Sequence, residues 1–416
     1  MSIASEISRL QQAKADIKSA IEAKGVTVPS NVLIDTYDDY VAQISGGVTP
    51  TLPVAGAKDV NFIDYDGTIR YSYTASEFAN LTAMPENPFH TGLIAQGWNY
   101  TLSDAKTYVA TYKRMVIGQM YVTSDGKTKL YTNLVQSDRL EQPLYYYQTD
   151  ANGVSVDWGD GSTAESSSST GSISLTHTYA AAGSYVIELT VVSGSLKLGT
   201  GGYQISIFGS SSTEGDDNVE RISRLMKVEI GSGVTEILAY AFIGCRSLRY
   251  VTMPHSIVSI ANNAFSSNNK MEGIVIPDQV TSFGSNVCGS GSIKVISLPG
   301  NLNTIDRVCN SNVGSTLIHI PSNITTINGS TFSSSYGLTS IHIPTSVTKI
   351  EANAFSYCRG LKAIYMYRTT PPTLSSTNAF NNVATDFVIY VPSSAVSTYK
   401  GASNWSSYSS IIQAKP

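Results

Sequence analysis

The sequence predicts a multidomain, mainly β protein that ends in a stacked repeat solenoid, and three patterns carry that expectation. Prolines recur at Pro254, Pro277, Pro299, Pro321 and Pro344, 22 or 23 residues apart, each directly after an apolar-x-apolar triplet. Residues 154–191 alternate apolar and polar with the period of a strand. Residues 3–44 instead place apolar side chains at spacings of three and four, the period of a helix face. In chain order this gives an N-terminal helical hairpin (1–47), a small α+β domain (58–145), a β-sandwich (150–208) and a C-terminal solenoid with a terminal cap (222–416).

The first stripe is Ile3, Ile7, Leu10, Ala13, Ile17 and Ile21, with Gly25 as a natural stop. A second runs through Ile34, Tyr37, Val41 and Ile44 to Gly46-Gly47. A unit this small buries little by itself, so its expected purpose is attachment or self-association, and a trimer would suit a fibre. Val60–Thr74 reads as paired strands around the turn Asp66-Gly67, and 76–83 and 103–112 carry helical signals, the second capped by Ser103. Val116–Tyr131 reads as a hairpin around Asp125-Gly126.

In the sandwich, Val154, Val156 and Trp158 alternate, a tight turn follows at Gly159-Asp160-Gly161, and Gly183 opens the strand Tyr185, Ile187, Leu189, Val191. The string Val156-Asp157-Trp158-Gly159-Asp160-Gly161-Ser162, with His177-Thr178-Tyr179 and Gly183-Ser184-Tyr185, resembles the PKD (polycystic-kidney-disease) family of immunoglobulin-like sandwiches. That resemblance implies a spacer or adhesive module.

The repeat triplets run from Val228-Glu229-Ile230 to Ile389-Tyr390-Val391, giving about eight rungs. Most rungs add a second apolar pair, such as Val258/Ile260, and several an Asn-Ala-Phe element, as at Asn263-Ala264-Phe265. One rung cannot bury its apolar edge, so the rungs must stack. Leu248-x-x-Val251-x-Met253 and Leu361-x-x-Ile364-x-Met366, with Ala-Phe-x-x-Cys at Ala241–Cys245 and Ala354–Cys358, resemble BspA-like leucine-rich repeats of bacterial and phage surface proteins. Val287-Cys288 and Val308-Cys309 depart from that pattern and imply a thinner core there. Residues 393–416, rich in Ser, Tyr and Trp, are expected to cap the open end.

Composition excludes some functions. Lys and Arg number 27 against 31 Asp and Glu, so a net charge of −4 gives no electrostatic reason for nucleic acid or an anionic membrane as partner. No apolar run is long enough for a membrane helix, and residues 1–24 lack the apolar core of a secretory signal, so the chain is expected to be made in a cytosol. The four cysteines, Cys245, Cys288, Cys309 and Cys358, fall at core positions of the array and need no disulfides.

Phe62-Ile63-Asp64-Tyr65-Asp66-Gly67-Thr68 resembles the nucleophile loop of haloacid-dehalogenase-type phosphatases, which also need a doubly wound sheet, a lysine and a distal acidic pair for Mg²⁺. The short interval before the sandwich strands supplies no such pair, so Asp66-Gly67 is read as a turn. Asp157 and Asp160 suit a turn better than Ca²⁺. His319 and His342 share an outward position on adjacent rungs but have no further metal ligand. The expectation is therefore no catalytic residue, no metal and no cofactor.

The outward positions of successive rungs are Glu229, Thr252, Val275, Ser297, His319, His342, Tyr365 and Tyr390. Rings gather at the C-terminal end, the composition of a sugar- or protein-binding face, so His319, His342, Tyr365 and Tyr390 are the candidate receptor-binding residues. The strings Asp59–Thr68 and Ala95–Lys106 resemble the leading part of BspA-like proteins of gut bacteria and their phages, and Ser5–Ile44 resembles the attachment hairpin of phage tail-associated proteins. The resemblances imply a virion protein, held to tail or baseplate proteins by its hairpin, that binds a glycan or protein on a host cell. The alternatives are an adhesin on a bacterial surface and a purely structural tail component.

Overall fold

Strands β5 (Thr128–Leu134) and β10 (Gly183–Val191) alternate buried and open side chains, and they pair antiparallel with Leu130 opposite Ile187. The computed structural model describes residues 58–136, 138–210, 216–314 and 317–416, and the expected hairpin of 1–47 lies outside the described residues. Ahead of the sandwich, β1 (Val60–Ile63), β2 (Ile69–Tyr73), β3 (Leu93–Trp98) and β4 (Met115–Thr123) form a sheet in the order β2-β1-β4-β3. Two helices cover it, α1 (Ala75–Ala79), opened by a capping box between Thr74 and Glu77, and α2 (Leu102–Tyr112). The cap of α2 is Thr101 rather than Ser103.

The turn at Asp125-Gly126 forms, with Gly126 at φ 74°, yet β4 and β5 do not pair. β4 stays with β1 and β3, and β5 leaves for the sandwich, so the boundary expected at 145 falls at this turn. The sandwich takes β5, β7 (Val154–Asp157), β8 (Glu165–Ser166) and β10 in one sheet, and β6 (Glu141–Gln148), β9 (Gly171–Thr178) and β11 (Leu196–Leu198) in the other. Its motif residues pack on one another. His177 stacks on the buried Trp158 at 4.9 Å, its Nε2 lies 2.8 Å from Asp160 Oδ2, and Tyr179 donates its hydroxyl to Trp158 O. Asp157 and Asp160 accept the N–H groups of Gly159 and Ser162, as turn carboxylates do.

Both sandwich sheets continue into the solenoid. β5 pairs antiparallel with Leu225–Glu229, the start of the first row of solenoid strands. β6 pairs with β11, which pairs parallel with Val234–Ile237, the start of the second row. A single apolar core therefore extends from Leu130 to Ile412.

On the third side of the solenoid, among the described residues, six rungs each turn through two left-handed residues, for example Asn286 and Ser290. Their N–H groups are thereby aimed at the next rung, bonding Asp306 O and Asn310 O. Beneath these turns Phe242 stacks on Phe265, and Phe332 on Phe355 on Phe380, at 5.2 to 5.5 Å. The column is interrupted at Val287 and Val308. At the same level the second row passes from Ser282–Phe283 to Thr326–Ile327 with no strand between them among the described residues. At the far end Tyr399 and Trp405 are buried, Trp405 Nε1 donates to Pro372 O, and Ile412–Ala414 pairs with Val388–Val391.

The α+β unit is docked on the solenoid through glycines. A Cβ on Gly273 would lie 2.1 Å from Gly67 Cα, a backbone atom that cannot yield. Gly273→Ala is expected to displace the α+β unit and make the segment around residues 58–123 susceptible to limited proteolysis, with a loss of at least ~2 kcal/mol in chemical denaturation. Gly401→Ala, where nothing lies within 4 Å, should leave both measurements unchanged.

Candidate functional site

Outward positions on the first-row strands form a ladder because the strands stack in register, with His342 opposite Tyr365 and Tyr365 opposite Tyr390. The expectation that the ladder is exposed along its length is corrected by the α+β unit. Glu229, Thr252, Val275, Ser297 and His319 are all buried. β4 lies across the rungs from Thr252 to His319, and every one of its residues is buried, while Glu229 is held by Tyr131 and Lys227. One face of β4, through Met115 and Ile117, packs on Phe62, Phe78 and Trp98. The other, through Val116 and Met120, packs with Ile63 on Val275 and Val295. Gly118 completes that face, since a Cβ there would meet Val275 Cγ1 at 2.4 Å.

Polar groups trapped at this junction are satisfied across it. The Asn99 amide donates to Ile276 O and Ser297 Oγ and accepts from Gly118 N–H, and Ser297 Oγ donates to Val116 O. Nδ1 of His319 accepts from Val116 N–H at 3.4 Å, so Nε2 carries the proton toward Tyr100 Oη at 2.9 Å. Burial holds the His319 imidazole down to about 3 from its ordinary 6.5. His319 is thus a neutral docking residue and drops out of the candidate receptor-binding set.

The ladder emerges beyond the edge of the α+β unit. His342, Tyr365 and Tyr390 are half-buried, and Gln413 at the next register position is exposed. His342 and Tyr365 stack at 4.5 Å and 23°, and Tyr365 and Tyr390 at 5.0 Å and 20°. The rings use their faces on one another, which leaves edges and hydroxyls outward, a different surface from the flat platform that ring composition suggests. Tyr367 flanks them, its hydroxyl donating to Tyr112 O and lying 2.9 Å from His342 Nδ1. Arg114 and Lys415 border the same end, Arg114 Nη1 donating to Ser340 Oγ and Lys415 Nζ lying 3.6 Å from the Tyr367 ring centroid. Sequence reading missed Tyr367, Arg114 and Lys415. The small outward side chains of the middle rungs, Val275 and Ser297, were the available signal that another element presses close.

Beside the ladder, a groove of about 530 Å³ separates α2 from the turns that follow the strands. Tyr100 and Tyr108 form its floor, with Asp104, Thr107, Asn301 and Asn323 among its walls. The phosphatase-like aspartate is elsewhere and occupied. Asp64 is fully buried and accepts from Arg70 Nε, with His90 Nε2 at 2.8 Å. Burial pushes its carboxyl up, but His90 and Arg70 outweigh that and hold it below the usual range. Asp66 caps its own turn through Thr68 N–H.

Residues 215–315 and 288–408 match the family described as BspA type Leucine rich repeat region, in six copies. The solenoid is therefore an array of BspA-type leucine-rich repeats. No curated protein matches the chain. Similar solved structures include a leucine-rich repeat protein from Eubacterium ventriosum, 24% identical over 37% of this chain and 42% of that one, with a TM-score of 0.32. A leucine-rich repeat protein from Bacteroides ovatus is 18% identical over 45% and 58%, with a TM-score of 0.31. A leucine rich cell surface protein from Faecalibacterium prausnitzii is 20% identical over 47% and 65%, with a TM-score of 0.26. The chain thus spans less than two thirds of the length of each.

A buried neutral histidine makes the docking acid-sensitive. The unfolded chain binds a proton at His319 below about pH 6.5 and the folded chain only near 3, so stability falls as pH drops through that window. Chemical denaturation at pH 6.5 and 4.5 should differ by roughly 2 to 3 kcal/mol from this group. His319→Gln is expected to reduce the measured difference by about that amount, the rest coming from other depressed groups such as His342, and an unchanged difference would refute the assignment.

Proposed function

We propose that this protein, whose residues 215–408 are BspA-type leucine-rich repeats, is a non-enzymatic recognition protein that engages a bacterial host surface through the open end of its ladder. The observation that carries this reading is the selective cover. The α+β unit covers the outward face from Thr252 to His319 and leaves His342, Tyr365 and Tyr390 at the surface. An array that served only as a spacer would have no reason to concentrate partly open rings on its uncovered rungs.

The resemblances of the leading residues to phage tail-associated proteins favour a virion component, held by residues 1–47 to tail or baseplate proteins and assembled as a homo-oligomer. The receptor is then a glycan or protein of the host envelope. An adhesin displayed on a bacterial surface would use the same face, and neighbouring genes separate the two: tail and baseplate genes for the first, secretion or sortase genes for the second. Among the described residues no helix is long and apolar enough to cross a membrane, and no group of three or more His, Cys, Asp or Glu is placed to hold a metal ion.

Labelled full-length protein and its Tyr365→Ala/Tyr390→Ala variant should be compared for binding to a panel of gut bacterial cells. A loss of about tenfold or more is expected for the variant, the size of effect that central aromatic contacts carry. Equal binding by the two proteins would make the solenoid a structural element and overturn the reading.

A further inference from the structure

We propose that the open end of the ladder takes an anionic polysaccharide, one whose sugar rings carry carboxylates. This deepens the reading above and rests on it for the location of the site.

The surface offers donors and positive charge. Stacking consumes the faces of Tyr365 and Tyr390, so what they present is edge and hydroxyl. Among the described residues neither hydroxyl has a protein hydrogen-bond partner. Around them stand Lys113, Arg114 and Lys415. Arg114 is fixed beside the ladder by its bond to Ser340 Oγ, two residues before His342 on the same strand. Lys415 lies over Tyr367, which is itself held by His342 and Tyr112 O. Lys113 directly follows Tyr112, with its Nζ on Ala110 O.

Positive charge exceeds negative charge at this end of the ladder. Among the described residues none forms an ion pair, although the chain as a whole carries a net −4. One carboxylate, Asp59, acts on His342 and Tyr367, with its Oδ2 bonded to Ala75 N–H, so a single negative charge faces three positive ones. The groups sense one another. Burial and then Lys113 hold the Lys415 ammonium below its ordinary value, and burial, Arg114 and Lys415 bring His342 down to about 4. An anion relieves this repulsion, and a guanidinium beside two ammonium groups suits a carboxylate in both charge and geometry. Repetition of strands at ~4.8 Å along the ladder favours a polymer with closely repeated acceptors over a single small anion. Neutral glycans would leave the cations uncompensated.

The test uses the full chain on immobilised polygalacturonate, with dextran as the neutral polymer and polyglycerol phosphate as the phosphodiester polymer. Polygalacturonate should bind, dextran should not, and binding should weaken steeply as salt is raised from about 50 to 300 mM. Lys415→Gln/Arg114→Gln should lose about tenfold or more in affinity. Lys415→Gln alone should lose several-fold, which keeps the test valid if the Arg114 change loosens the docked unit. Lys362→Gln, on a lysine already paired with Asp386, should bind as the parent does. Equal binding of dextran, or parent-like binding by the Lys415 variants, would overturn the proposal. Binding of polyglycerol phosphate in preference to polygalacturonate would overturn the carboxylate assignment. If cells bind through Tyr365 and Tyr390 but polygalacturonate neither binds nor competes, this inference fails and the recognition reading stands. If polygalacturonate binds through Lys415 while no cell does, the recognition reading fails and this one stands.

Discussion

Every other feature of this molecule depends on strand pairing at the N-terminal end of the solenoid. A stack of parallel strands exposes two open edges there, one for each row, and unpaired edges recruit other chains. Here β5 pairs with Leu225–Glu229 and β6 with β11, so the sandwich sheets and the solenoid rows are the same sheets. The sandwich is thus less a bead on a string than the cap that lets the array begin. Its core and the repeat core are one, and a change in either is felt in both.

That continuity fixes where the α+β unit must lie. Only the short turn at Asp125-Gly126 joins β4 to β5, and β5 is already committed to the solenoid's first row. The unit consequently settles on the outward face of that row. Its fit relies on close approach at Gly118 and Gly273, and on Asn99, Ser297 and His319 satisfying buried groups that water would otherwise have to reach. The functional consequence is geometric. Covering the middle rungs confines the accessible part of a long repeat surface to its last rungs, where Tyr365, Tyr390 and the unpaired cations lie.

Much of the fold was legible because its signals are local and repetitive. Evenly spaced prolines behind apolar triplets can be satisfied only by stacking, and the turn at Asp66-Gly67 forms between the strands that flank it. The same dipeptide signal at Asp125-Gly126 misled, because an Asp-Gly turn states how the chain bends and not which strands then pair. The candidate site was half legible. The ladder register was correct at His342, Tyr365 and Tyr390, while His319 was misassigned as exposed because strand alternation distinguishes inward from outward but not outward from covered.

The sequence by itself determined the solenoid, its rung-to-rung register, the alternating sandwich strands and the aromatic end of the ladder, because each follows from a periodicity within one segment. Tertiary structure alone decided that two strands of the expected α+β unit belong to the sandwich, that a docked sheet lies across the rungs from Thr252 to His319, and that Arg114 and Lys415 both border the open end of the ladder. Those outcomes join residues that are distant in the chain, and no local pattern encodes them. They are set by which edges remain unpaired and which surfaces fit once the segments have folded.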